Sequence, residues 1–179
     1  MATTVTHVVD PDSGAGYTYD SLYDWEAGEQ KNRVTADEIS IADCQSTGGS
    51  ADTTAVAISG SVTDGTRYSK IWCNPAGSYR HVGVWSDTKY RLVISSGRLN
   101  IYDNDVRIDG LQIKPTDNHG ILVGSVTGTG NFFFSNCLIT IVPGSGNTGI
   151  NVTTDNTGIT YSVWNNIIYG FTGSGEIGI

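Results

Sequence analysis

Short runs in which apolar and polar residues alternate fill most of the chain, separated by clusters of Gly, Asn, Asp, Ser and Thr. Leu92-Val93-Ile94, Ile121-Leu122-Val123 and Ile150-Asn151-Val152 begin at positions 92, 121 and 150, and Ile179 falls at the next step of 29. A second set runs out of phase with the first: VRIDGLQI at 106–113, FFFSNCLI at 132–139 and SVWNNIIY at 162–169. Aligning Gly110, Asn136 and Asn166 places Ile108, Phe134 and Trp164 in one column. Leu111, Cys137 and Ile167 then form a second column, and Ile113, Ile139 and Tyr169 a third. Alternation over a few residues is the pattern of a strand with one buried face. No window between 50 and 179 keeps the i, i+3, i+4, i+7 stripe of a helix.

Strands recurring in the same order at a nearly fixed period mark stacked repeats. The pattern predicts an all-β fold, a right-handed parallel β-helix (solenoid) whose coils lie about 4.8 Å apart with like residues above like residues. Ile94, Val123 and Val152 are expected in one inward column, and Phe134 and Trp164 inside the coils. Gly110, Asn136 and Asn166 are expected to turn the corners, in a conformation that Gly and Asn tolerate best. A β-sandwich would need hairpin turns such as Asn-Gly, and the repeat region has none.

The N-terminal third is different. In TYDSLYDWEAGEQ (18–30), Ser21 stands three residues before Asp24 and helix formers run through Gln30, which predicts a capped short helix over about 21–30. EISIADC (38–44) alternates as a strand. The expected organisation is an anchor and cap region over 1–50, with Trp25 plugging the core's end, followed by coils over 51–179 that continue beyond residue 179.

Composition supports a turn-rich β protein: 23 of the 179 residues are Gly and only 16% are charged. A formal net charge of −8 with scattered Lys and Arg excludes a nucleic-acid backbone as partner. No apolar run is long enough for a membrane span. Residues 1–14 lack the basic and apolar regions of a secretory signal. Cys44, Cys73 and Cys137 carry no CxxC spacing and read as buried free thiols.

The N-terminal segment, with Tyr19-Asp20-Ser21-Leu22-Tyr23-Asp24-Trp25-Glu26 at its centre, and the coils VRIDGLQI and VWNNIIYGF resemble right-handed β-helix proteins of the pectate-lyase-like superfamily. More narrowly, they are similar to the N-terminal part of phage and environmental-virus structural proteins. The resemblance implies a tailspike, fibre or head-decoration protein of a virion, made in the host cytoplasm. Its implied partners are other virion proteins of capsid or tail and host surface polysaccharide, with a homotrimer as the assembly. A carbohydrate-active lyase or hydrolase with its active face in further coils, and a bacterial surface adhesin, are the alternatives.

Candidate chemistry is sparse. Asp103 and Asp105, with Asp109 close behind, offer a carboxylate pair or a Ca²⁺ site, against the plainer reading of turn-forming Asp residues. The Asp109 column continues as Ser135 and Asn165, polar and uncharged. Asp117 and His119 could pair as acid and base, but a His before a turn Gly reads more simply as solvated. Arg107 and Lys114 stand isolated. No triad, phosphate loop or metal-ligand spacing appears, so neither catalysis nor a cofactor is expected. Aromatic residues crowd 68–102, where Tyr68, Trp72, Tyr79, Trp85, Tyr90 and Tyr102 lie. Of these, Trp72, Tyr79, Trp85 and Tyr90 are the candidates for carbohydrate or partner contact, because sugar faces stack on rings.

Overall fold

A computed structural model describes residues 1–115, 119–140, 147–153, 157–170 and 172–179. The N-terminal part forms β1 (Thr3–Val9), α1 (Leu22–Glu29), α2 (Arg33–Ala36) and β2 (Glu38–Cys44). Then come β3 (Val56–Ile58), β4 (Ser69–Trp72), β5 (Arg91–Ile94), β6 (Leu99–Ile101), β7 (Val106–Asp109) and β8 (Gln112–Pro115). The chain ends with β9 (Ile121–Val123), β10 (Gly130–Ser135), β11 (Leu138–Thr140), β12 (Ile150–Val152), β13 (Ile159–Trp164) and β14 (Ile167–Tyr169).

The protein is mostly strand, and every pairing between named strands is parallel. The strands form a six-stranded sheet in the order β1-β2-β4-β7-β10-β13 and two four-stranded sheets, β14-β11-β8-β5 and β12-β9-β6-β3. From β4 to β14 the chain visits the three sheets in strict rotation, and each strand from β6 onward pairs with the strand three places earlier. Parallel neighbours cannot be joined by tight hairpins, and the intervening strands serve as the crossovers.

Alternation decides which side chains meet inside. Ala42, Ile71, Ile108, Phe134 and Val163 are successive register partners across the six-stranded sheet. Leu92, Ile113, Ile139 and Ile168 align in the second sheet. Ile58, Ile101, Val123 and Val152 align in the third. Nearly all belong to one buried core, within which Phe132 stacks on Tyr161 with ring centroids 5.3 Å apart.

The expected columns shift at two places along the chain. Ile94 does not lie with Val123 and Val152: it belongs to β5 and pairs with Pro115 in the second sheet, while Ile101 takes its expected place. The step of 29 from 92 to 121 joins strands of different sheets, because the excursion between β4 and β5 is long. The last repeat is also displaced by one residue. Val163, not Trp164, partners Phe134, and Trp164 partners Ser135 on the outward side, where it is 47% exposed. Ile168 likewise takes the inward place assigned to Tyr169. The corner is turned by Asn165 (φ 55°), as it is by Gly110 (78°) and Asn136 (54°). Asn166 instead accepts from the Cys137 amide at 2.8 Å and donates to the Phe134 carbonyl at 2.9 Å. Two adjacent Asn residues left the register one residue ambiguous, and a one-residue slip turns every side chain over.

At the N-terminal end, Ser21 caps α1 by accepting from the Asp24 amide at 3.1 Å. Buried Asp52 accepts from the Leu22 amide at 2.7 Å and from the Tyr90 hydroxyl at 2.9 Å, tying the start of α1 to the segment just ahead of β5. Trp25 is buried in the core cluster. Buried Arg33 donates to Ser69 (3.1 Å), Glu38 (3.3 Å) and the Glu29 carbonyl (3.0 Å).

Candidate functional site

In β4, β7, β10 and β13 the residues between the core positions face outward. They form two rows of register partners: Lys70, Arg107, Phe133 and Ser162 in one, and Trp72, Asp109, Ser135 and Trp164 in the other. Tyr68 lies just ahead of β4. The Arg107 guanidinium sits 3.5 Å from the Tyr68 ring centroid and 4.9 Å from that of Phe133. The Lys70 ammonium lies 3.5 Å over the Trp72 ring. Phe133 meets Trp164 edge to face at 6.1 Å. Such cation–ring contacts lay long side chains along the sheet, and the Trp164 ring at the end of its row stays exposed.

A groove of about 340 Å³ opens here, lined by Lys70, Arg107, Ile108, Asp109, Phe133, Ser135 and Trp164. A second, of about 260 Å³, is lined by Arg80, His81, Gly83, Asn136, Asn165, Asn166 and Ile167. Between them stands a bidentate ion pair, Arg80 to Asp109 at 3.0 and 2.9 Å. Asp109 also accepts from Ser135 at 3.0 Å and Asn136 at 2.6 Å. Burial pushes its carboxyl pKa up, but these bonds outweigh burial and hold it below the ordinary carboxylate value. Burial lowers the pKa of Lys70; Asp109 opposes that shift, and Arg107 and Arg80 reinforce it. Burial also lowers that of His81, whose Nε2 lies 2.9 Å from the Asn136 carbonyl oxygen.

The face therefore gathers Lys70, Arg80 and Arg107 around Asp109, with Asp43 beside Lys70, on a chain whose formal charge is −8. Asp43 accepts from Gln45 at 3.0 Å and from the Asn74 amide at 3.3 Å. Among the described residues, Lys70 and Arg107 form no ion pair.

The four aromatic candidates divide. Trp72 lies on this face. Tyr79 is half-buried in the excursion between β4 and β5, its carbonyl accepting from the Tyr90 amide at 3.1 Å. Trp85 donates to Asp87 at 3.0 Å and has Lys114 6.0 Å from its ring, away from the groove. Tyr90 is no contact residue: it is 0% exposed, since alternation before β5 turns it inward onto Asp52. Lys70, Arg107, Phe133 and Trp164 complete the face instead. The signal for them was the outward half of each alternating run, legible once Trp164 is put in register with Ser135.

Asp103 and Asp105 engage separate partners. The Asp103 carboxylate accepts from the Ser61 amide at 3.1 and 3.3 Å. Asp105, at φ 51°, accepts from the Asn131 amide at 3.1 Å and its side chain at 3.2 Å. Burial raises the Asp103 pKa to about 6. Among the described residues no cluster of three or more His, Cys, Asp or Glu could hold a metal ion. Cys44, Cys73 and Cys137 are free and buried. His119 accepts from the Thr148 amide at 3.1 Å and lies 3.3 Å from the Asn151 side chain, while Asp117 lies outside the described residues. The Asp109 column runs on through Ser135 to Trp164 and not to Asn165.

No protein-family model, curated protein or solved structure matches the chain.

Proposed function

We propose that this chain is a right-handed parallel β-helix with a short N-terminal cap helix, and that it serves as a virion structural protein of a phage. In that role it is a tailspike, fibre or head-decoration element whose outward face on β4, β7, β10 and β13 contacts host surface glycans. The strict rotation of strands among three parallel sheets supports the β-helix, and parallel crossovers are right-handed in nearly all cases. The resemblance of the Tyr19–Glu26 segment and of the coils to phage structural proteins supports the setting.

The observation that carries the glycan reading is the row of rings and cations, Tyr68, Lys70, Trp72, Arg107, Phe133 and Trp164, on one face. Asp109, held ionised by three donors, suits positioning of a ligand better than donation of a proton. The test is mass spectrometry of density-gradient-purified particles from the source culture. Recovery of the chain at a fixed stoichiometry to capsid protein is expected. Its presence only in the particle-free fraction would sink the virion role.

A further inference from the structure

We infer that the face formed by β4, β7, β10 and β13 takes an anionic glycan, a chain carrying carboxylate or sulfate groups, with the anionic groups seated at Lys70 and Arg107. This rests on the glycan-contact reading and adds the sign of the ligand's charge. Lys70 and Arg107 are register partners on adjacent strands, so their charges lie side by side. Each is laid against aromatic rings, and neither has an ion-pair partner among the described residues. The nearby carboxylates are already engaged: Asp109 is bonded to Arg80, Ser135 and Asn136, and Asp43 accepts from Gln45 and from the Asn74 amide. A neutral sugar would cover two partly desolvated cations without matching their charge, whereas an anionic one matches both.

Ring placement favours a sugar chain over an acidic peptide. Trp72 and Trp164 occupy the same row three strands apart, a distance of about 14 Å at the usual strand spacing and roughly three sugar units. Phe133 and Tyr68 flank the row on the cation side. Rigid pyranose rings can lie on such platforms in succession, while the unmatched cations sit beside them.

The inference can be tested by calorimetry on the full 179-residue chain with hyaluronan, chondroitin sulfate, neutral dextran and poly-glutamate, at low and physiological salt. Hyaluronan, chondroitin sulfate or both should bind, with affinity falling as salt rises, and dextran should not. Lys70→Gln and Arg107→Gln should each weaken that binding by about tenfold or more, the loss of a charge-assisted contact. Lys114→Gln, away from the groove, should leave it unchanged, and circular dichroism melts of all three variants would exclude unfolding as the cause. Dextran binding as well as the acidic chains, with no effect of Lys70→Gln or Arg107→Gln, would overturn the anionic inference while leaving the glycan reading intact. Binding of poly-glutamate alone, or of none of the four, would overturn the inference together with the glycan contact.

Discussion

Trp164 shows what one residue of register decides. Placed in column with Phe134 it reads as core; paired with Ser135 it lies half-exposed on the outward face. Phe134→Ala should cost about 3–5 kcal/mol in denaturant unfolding, as removal of a fully buried ring does. Trp164→Ala should cost about 1 kcal/mol or less, because the ring is only partly covered. Equal losses would return Trp164 to the interior. Asp103 allows a second test. Its folded pKa of about 6 lies above the ordinary 3.8, so the folded chain holds this proton more tightly than the unfolded one. The stability it contributes is full below about pH 4 and is lost as pH rises through 6. Asp103→Asn should flatten the stability profile over that window by about 1–2 kcal/mol, read from melts at pH 4 and pH 7. The polar partners behind such effects could not be read from composition, because Asp103 meets Ser61, and Asp52 meets Tyr90, only after segments about 40 residues apart have packed together.

Elements were more legible than their alignment. Alternation located the strands around 38–44, 92–94, 106–113, 121–123 and 132–139, and Ser21 with Asp24 located α1, because both signals are local. Register was legible only where flanking turns were unambiguous. The spacing of 29 is shared by true neighbours such as Phe134 and Val163 and by the unrelated pair Leu92 and Ile121, which lie in different sheets. The length of chain between strands varies from one repeat to the next, so a sequence period alone cannot tell these cases apart. The corner at Asn165 should tolerate Gly but lose about 1–2 kcal/mol on substitution by Val, which disfavours positive φ. Asp52→Ala should cost about 1–3 kcal/mol or more, since the Leu22 amide and the Tyr90 hydroxyl would both lose a buried acceptor. A loss below about 0.5 kcal/mol in the same unfolding assay would show that another group satisfies them.

On the scale of the whole molecule, the expected division between an N-terminal region over 1–50 and coils over 51–179 is crossed by a sheet. β1 pairs with β2 over seven residues, β2 pairs with β4, and Val9 joins the core. The first residues therefore belong to a structural strand of the main sheet. Burial changes across the sheets as well: β7 alternates between buried and half-exposed positions, whereas no residue of β13 or β14 is buried. β13 and β14 are edge strands of their sheets, and a strand bonded on one side can open without its neighbours. In deuterated solvent the backbone amides of β13 and β14 should consequently exchange first and those of β7 and β8 last, so that peptides analysed by mass along the chain record the order in which the strands come apart.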